Sequence, residues 1–130
     1  MTENNKNPRT TPYDGRKATG KAGEEIAASY FEELGYRIVV RNWRCRFGEL
    51  DIVAEDGDTV VIAEVRTRTG SERFGSAAES VTPQKQRKVR TLAQMYLSAE
   101  QKLESRLRFD VVAVLMVKDK VDVKHIPNAF

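Results

Sequence analysis

The sequence predicts an α/β domain in which one mixed sheet is flanked by helices, and three observations predict it. Two stretches carry apolar side chains at helical spacing, and five short segments rich in Val and Ile are typical of strands. These elements follow one another in the order α-β-β-β-α-β-β, which favours a single layered core. The 130 residues are enough for one such core. We therefore predict a flexible polar tail over residues 1–16 and a single domain over residues 17–130.

The first helix is predicted over residues 20–34, where an apolar stripe recurs and Gly35 suits a helix stop. The stripe consists of Ala22, Gly23, Ile26, Ala27, Tyr30 and Leu34. Tyr36–Trp43 then reads as a strand that leads into a hairpin. The next segment, Arg68–Val81, is predicted to be a long loop.

The second half of the chain supplies a helix and two closing strands. Thr82-Pro83 resembles an N-cap followed by proline at the first helical position, so a helix is predicted from there to about Ser98. Leu107–Val117 and Val121–Ile126 are predicted to be strands joined by a short charged turn.

The hairpin formed by the second and third predicted strands contains the residues that are most informative about function. Asp-Gly between apolar runs favours a two-residue turn, which we place at Asp56-Gly57. Glu55 would then pair with Asp58, Asp51 with Ile62, and Glu49 with Glu64. Because side chains alternate along a strand, one face carries Glu49, Asp51, Val53, Val60, Ile62, Glu64 and Arg66, and the other carries Leu50, Ile52, Ala54, Val61, Ala63 and Val65.

In that register Asp51 and Glu64 are diagonal neighbours, roughly 7–8 Å apart at the backbone. Two carboxylates so placed suit a hard divalent cation such as Mg²⁺ or Mn²⁺. The alternative is a charged patch on the solvent face of a strand, which is where most carboxylates lie. Val53 and Ile62 share the face, however, so it is expected to be partly covered. Arg66 either neutralises Glu64 or stabilises charge on a scissile phosphate.

The remaining candidates surround this acidic face. Glu24 borders the apolar stripe of the first helix and is a candidate third ligand, although a helix N-terminus alone would favour its charge. Basic residues crowd the start of the second helix, as a solvated face or as a phosphate contact. The predicted nucleic-acid contacts are Lys85, Arg87, Lys88, Arg44 and Arg68, with Arg41, Arg46 and Arg73 as an extension.

Composition excludes several other classes of function. One cysteine, Cys45, forbids an internal disulfide and suits a reducing compartment. The sequence contains only one histidine and one cysteine, so a zinc site built from these residue types is not expected. We find no membrane-spanning apolar run, no secretory signal and no phosphate-cradling glycine-rich loop. A cytoplasmic protein without membrane partners is expected.

The sequence resembles the bacterial YraN-like family over roughly residues 16–130. The motifs that carry the resemblance are spread along the chain. They are Gly20-x-x-Gly23-Glu24-x-x-Ala27, Gly35-Tyr36, Arg41-Asn42-Trp43-Arg44, Gly48-Glu49-Leu50-Asp51-Ile52, Ala63-Glu64-Val65-Arg66-x-Arg68, Val81-Thr82 with Lys85, and Arg108-Phe109-Asp110.

That family, uncharacterised for the most part, is placed in the restriction-endonuclease-like superfamily, near the archaeal Holliday-junction resolvases. The resemblance implies an αβββαβ core with a PD-D/E-x-K type site. It places Asp51 at the Asp, Glu64 at the Asp/Glu and Arg66 at the Lys, with Glu24 at the helical Glu that completes metal binding. An arginine departs from the superfamily pattern and leaves no proton-transfer role at that position.

The leading expectation is a Mg²⁺- or Mn²⁺-dependent nuclease acting on DNA, with branched or structured DNA as a candidate substrate. Asp51, Glu64 and Glu24 would hold the metal, while Glu49 would orient these ligands without touching it. A homodimer is expected if both strands are cut, since one site cuts one strand. The alternatives are a nucleic-acid-binding module without cleavage and a protein-interaction domain with a vestigial site.

Overall fold

The computed structural model describes residues 12–70 and 80–130, which form a five-stranded sheet and two long helices. The predicted order of elements, α-β-β-β-α-β-β, is confirmed. The elements are α1 (Pro12–Glu33), β1 (Arg37–Cys45), β2 (Gly48–Asp56), β3 (Thr59–Thr69), α2 (Pro83–Ala99), β4 (Arg106–Val117) and β5 (Lys120–Ile126).

Helix α1 begins earlier than the sequence predicted. It starts at Pro12 rather than near Gly20, so residues 12–16 of the predicted flexible tail are helical. Proline fits the first turn of a helix, where its missing N–H removes no bond. Residues 1–11 of that tail lie outside the described residues, and the division into tail and domain otherwise stays a prediction.

The five strands lie side by side in chain order. β1, β2 and β3 form an antiparallel meander, and β4 and β5 form an antiparallel hairpin. β3 and β4 are parallel along their whole length, from Thr59 opposite Arg106 to Thr69 opposite Met116. Parallel neighbours need a crossover connection, and α2 lies within it.

Each face of the sheet packs against one helix, which gives two apolar clusters. Beneath α1 lie the buried side chains of Ala27, Ala28, Phe31, Ile52, Ala54, Val61, Ala63, Val112 and Val114. Beneath α2 lie those of Leu50, Val53, Val60, Ile62, Val89, Leu92, Ala93, Tyr96, Leu97 and Phe109. At about 1.5–3 kcal/mol for each large side chain removed from water, these two layers fix how both helices sit on the sheet.

The β2–β3 turn differs from the predicted one by one position. Asp56 pairs with Thr59, so the two turn residues are Gly57 and Asp58. Gly57 has φ of 59°, and a positive φ at the first turn position is the place for glycine in a type II′ turn. The predicted pairings of Glu55 with Asp58, of Asp51 with Ile62 and of Glu49 with Glu64 are therefore wrong, since Glu55 pairs with Val60 and Ile62 pairs with Val53. The register moves by two residues, and such a shift does not by itself change which residues share a face. Continuing the observed register by one residue places Asp51 directly opposite Glu64.

The strict alternation predicted for β2 ends near Asp51. Ile52 and Ala54 share one face, as predicted, and pack beneath α1, but Leu50, predicted on that same face, joins Val53 in the cluster beneath α2. The last paired residues of β2 and β3 are Ile52 and Ala63. Beyond them the two strands are no longer paired, so the side chains of β2 can depart from strict alternation.

None of the helices in the described part of the chain combines the length and the apolar character that a bilayer crossing demands.

Candidate functional site

The candidate site lies where β2 and β3 separate. The Asp51 Oδ2 atom accepts a hydrogen bond of 3.0 Å from the backbone N–H of Val65. That N–H lies just beyond the end of the β2–β3 ladder, so the carboxylate replaces a backbone carbonyl as its partner. The bond ties Asp51 to the residue next to Glu64. The two predicted ligands therefore lie together just beyond the end of the ladder, where the charge of Asp51 acts on Glu64.

Glu64 is almost completely buried, with 2% of its surface exposed. Its Oε1 lies 3.7 Å from the Nζ of Lys85 in the first turn of α2. Its Oε2 has no hydrogen-bond partner among the described residues. A buried carboxylate oxygen without a partner costs free energy, because it has lost its water and gained nothing in return.

The electrostatics of the site follow from this crowding. Burial, followed by the negative charge of Asp51, raises the pKa of Glu64 to about 7. Burial also raises the pKa of Asp51, although the Val65 N–H and the Lys85 ammonium oppose it. The two carboxyl groups therefore do not ionise freely together near neutral pH. A cation placed between them would reverse this balance.

Lys85 reaches Glu64 because of how α2 begins. The Thr82 side chain caps the helix by accepting from the Lys85 backbone N–H at 3.1 Å, and Pro83 occupies the first turn. Both features agree with the prediction. The sequence grouped Lys85 with surface phosphate contacts, whereas its ammonium points to the acidic pair. Its spacing from the proline is the only sequence signal that could have separated it from its basic neighbours.

Glu24 approaches from α1 on the other side of the strands. Its Oε1 accepts a 3.1 Å hydrogen bond from the Nδ2 of Asn42, which adopts φ of 56° in β1. Burial, and more weakly the charges of Asp51 and Glu49, raise the pKa of Glu24 although the Asn42 bond opposes it. Asn42 was not among the predicted site residues. Asparagine tolerates a positive φ, but nothing in the sequence announces that it is needed there.

Gly23 allows α1 to pack closely against β3. A Cβ atom at this position would collide with the Thr67 hydroxyl and lie 3.0 Å from the Thr67 Cβ. The absence of a side chain lets the first half of α1 rest on β3, which carries Glu64. Gly23 therefore sets the distance between Glu24 and the acidic pair.

Arg66 lies two residues beyond Glu64, and its side chain is bound by the segment that precedes α2. Its Nη2 donates to the backbone carbonyl of Ser80 at 3.3 Å. Its Nε is buried without a partner among the described residues. The guanidinium charge lowers the pKa values of both acids, but less than burial raises them. Arg66 therefore keeps its Nε–H as an unused hydrogen-bond donor at the site.

The remaining predicted residues do not form one continuous basic surface. Arg87 and Lys88 are exposed on α2. Arg44 forms a 2.8 Å ion pair with Glu49 across the β1–β2 hairpin. Arg68 is half-buried and donates to the Thr67 carbonyl. Arg41 pairs with Glu25 at 2.6 Å, and Arg73 lies outside the described residues.

The donor set fits a small hard cation bound by few protein ligands. No group of three or more His, Cys, Asp or Glu side chains in residues 12–70 and 80–130 is arranged to hold a metal. Mg²⁺ often takes only one or two carboxylates and completes its shell with water and phosphate. Asp51 and Glu64, with one buried oxygen unpartnered, meet that need. The role of Glu24 as a third ligand stays a prediction.

The comparisons with known proteins agree on one family. The model of the Uncharacterised protein family UPF0102 matches residues 23–114. A UPF0102 protein of Pelotomaculum thermopropionicum is 50% identical over 119 residues, covering 90% of this chain and 98% of the relative. One from Syntrophus aciditrophicus is 45% identical over 112 residues, covering 86% and 87%. One from Mycolicibacterium vanbaalenii is 44% identical over 117 residues, covering 89% and 96%. The chain therefore belongs to the UPF0102 family, which is the YraN-like family that its sequence motifs resemble.

Proposed function

We propose that this protein is a Mg²⁺- or Mn²⁺-dependent nuclease that hydrolyses phosphodiester bonds in DNA. The observation that carries the proposal is the buried Glu64 carboxylate, which faces Asp51 and keeps one oxygen without a partner. A fold keeps such an arrangement at a cost in stability, and perturbed carboxyl pKa values are typical of functional sites.

Asp51 and Glu64 are the residues that would hold the metal. When bound, a divalent ion supplies a Lewis acid for the phosphate and lowers the pKa of water. The hydrogen bond from Val65 holds Asp51 in place before any ligand arrives. Glu24 would assist directly or through water, and Glu49 would orient the ligands from its ion pair with Arg44.

The two basic side chains of the site have different capabilities. Arg66 offers a permanent positive charge and a spare buried donor, which suit charge that builds on a phosphate. The ammonium of Lys85 is a compact point charge that lies 3.7 Å from Glu64. Lys85 is therefore our candidate for orienting the attacking water beside the acidic pair.

DNA would approach from the side of α2. Arg87 and Lys88 are exposed beside the site and would bind backbone phosphates. Arg44 and Arg68 would extend the contact along the sheet edge. Cutting both strands of a duplex would need a second copy of the chain, so we propose a homodimer for such substrates. We place the activity in the cytoplasm.

A nucleic-acid-binding module without cleavage is the second candidate. One observation favours it: Lys85 already neutralises Glu64 in part, and the described residues contain no group of three metal-ligating side chains. In that case the carboxylates would form a structural ion-pair network, and the exposed basic residues of α2 would bind nucleic acid.

A cleavage assay separates the two candidates. Labelled duplex, single-stranded and four-way-junction DNA would be incubated with Mg²⁺ or Mn²⁺ and with the parent protein, the Asp51→Ala variant or the Asp122→Asn variant. Asp122 is exposed on β5 and is a matched carboxylate control. Cleavage by the parent and by Asp122→Asn but not by Asp51→Ala would support the nuclease. Equal binding without cleavage by all three would favour the binding module, and equal cleavage by all three would refute the site.

A further inference from the structure

Phe47 is exposed at the tip of the hairpin that joins β1 and β2. It has 55% of its surface in solvent and, among the large apolar side chains exposed in the described residues, it is the only aromatic one. The Arg46 guanidinium lies 5.3 Å from the centre of its ring. Phe47 belongs to neither apolar cluster, so an exposed aromatic face lies next to a positive charge at the tip of the hairpin.

The hairpin tip packs closely against α2. Arg46 and Phe47 form a two-residue turn closed by Cys45 and Gly48. Gly48 has φ of 151°, and a Cβ atom there would lie 3.1 Å from Leu92 Cδ1 and 3.2 Å from Lys88 Cε. The backbone of the hairpin thus packs directly on two α2 side chains, and this contact fixes the position of the Phe47 ring.

A cleft of about 380 Å³ opens between this ring and the helix. It is lined by Phe47, Arg87, Lys88, Thr91, Leu92 and Met95. Its floor is apolar and its rim is positive. The described residues offer no ion-pair partner to Arg46, Arg87 or Lys88, and the neighbouring Arg44 is already neutralised by Glu49.

This combination favours a partner that carries both negative charge and a flat apolar face. An apolar peptide would fill the floor but would leave the three cations of the rim unpaired. Nucleic acid satisfies both, because its phosphates meet the rim while a base lies against the aromatic ring. Inside a duplex both faces of a base are covered by its neighbours, so an internal base must leave the stack to offer a face, and stacking on aromatic side chains is how proteins bind single strands.

We propose that Phe47 stacks on an unpaired base, so that this protein prefers nucleic acid with a single-stranded segment next to a duplex. Cleavage of such a substrate rests on the proposed function, whereas binding does not. Asp51 lies four residue steps beyond Phe47, about 13 Å along the strand. That length equals about four stacked base steps, so the contacted base should lie within about four nucleotides of the scissile phosphate.

Binding without metal tests the inference apart from catalysis. The full-length protein would be titrated in EDTA with a duplex that carries a single-stranded overhang and with the blunt duplex, and affinity would be read from fluorescence anisotropy. A 2-aminopurine base moved along the overhang would report which base stacks. The variants would be Phe47→Ala, Phe47→Trp and the control Leu103→Ala, an apolar residue with 59% of its surface exposed between α2 and β4.

We expect Phe47→Ala to bind the overhang substrate about 5- to 100-fold more weakly and the blunt duplex with unchanged affinity. Phe47→Trp should retain parental affinity, and Leu103→Ala should behave as the parent. The salt dependence of binding should be the same in Phe47→Ala, because no charge is removed. The 2-aminopurine signal should change at one position and only when an aromatic residue is present.

Equal affinity of the parent and Phe47→Ala for the overhang would overturn the inference, and so would a parent protein that binds no nucleic acid, since the cleft would then serve another partner. Failure of the proposed nuclease looks different. A protein that binds through Phe47 but never cleaves would support the stacking contact and reject the catalysis. A protein that cleaves, with Phe47→Ala unchanged in affinity and products, would do the reverse.

Discussion

Replacing Glu64 with glutamine is expected to stabilise the metal-free protein above neutral pH. The substitution keeps the shape of a side chain that is 2% exposed and removes its negative charge. The cause lies in the pKa of Glu64, which burial and then the charge of Asp51 raise from the ordinary 4.5 to about 7. The folded protein therefore holds this proton more tightly than the unfolded chain does.

The sign of the effect follows from that difference. Below about pH 4.5 the group is protonated in both states, and glutamine and glutamic acid should be nearly equivalent. Between that pH and about 7 the unfolded chain releases its proton while the folded protein keeps it, so the parent loses stability as pH rises. Above pH 7 the cost is complete and corresponds to about 3 kcal/mol. Lys85 is partly exposed and can turn to water once its partner is neutral.

Urea unfolding in EDTA at about pH 5 and about pH 8.5 measures this difference, with Asp122→Asn as the control that removes an exposed carboxylate. The advantage of Glu64→Gln over the parent should grow by about 2.5 kcal/mol between the two pH values, because part of the cost is already present at pH 5, while Asp122→Asn should follow the parent. Saturating Mg²⁺ should then stabilise the parent at the higher pH and leave Glu64→Gln unchanged. A constant difference between Glu64→Gln and the parent at both pH values would refute the electrostatic reasoning.

Three further substitutions test separate parts of the site and its frame. Lys85→Met should reduce cleavage about 100-fold without loss of DNA affinity, because the positive charge beside Glu64 is lost, and Lys85→Arg should restore part of the rate; single-turnover rates would measure both effects. Gly23→Ala should destabilise the fold by about 1–3 kcal/mol in urea unfolding because its Cβ meets Thr67, and adding Thr67→Ala should recover part of the loss. Asp110→Asn should cost about 3 kcal/mol because Arg108 and His125 lose their buried partner. Burial works against the Asp110 charge, but the Arg108 hydrogen bonds outweigh it and lower its pKa, so this stabilisation should be present above pH 3.8 and lost as the pH falls further in an acid titration.

The sequence was sufficient for features that depend on local chemistry. Thr82 and Pro83 predict the start of α2. The alternation of side chains along β3 assigns Ile62 and Glu64 to the same face. The turn was placed one position early, because Asp56-Gly57 and Gly57-Asp58 both offer a glycine and only the backbone decides which φ becomes positive. The pairing moved by two residues, which preserves the parity of the strands, so the predicted faces hold for the paired residues, whereas Leu50, beyond the last pair, lies on the opposite face.

Features that depend on how elements meet in space could not be predicted in the same way. The bond from Asn42 to Glu24 joins β1 to α1, and that from Lys85 to Glu64 joins α2 to β3. Neither pair has a spacing that marks it, since each partner belongs to a different element. Lys85, Arg87 and Lys88 look alike in sequence, yet the turn of the helix sends one toward the acidic pair and leaves the others in solvent.

Two charged side chains are buried in the described residues, and the contrast between them locates the site on physical grounds. Asp110 is fully enclosed, and both oxygens are satisfied by Arg108, by His125 at 2.7 Å and by the Asn128 backbone N–H, with a lowered pKa as the result. Glu64 is enclosed to nearly the same degree, yet it has one distant cation, one orphaned oxygen and a raised pKa. A structural carboxylate is placed where the fold completes its bonds. One left incomplete at comparable burial is better explained by a ligand that the chain alone does not supply, and beside Asp51 that ligand would carry positive charge.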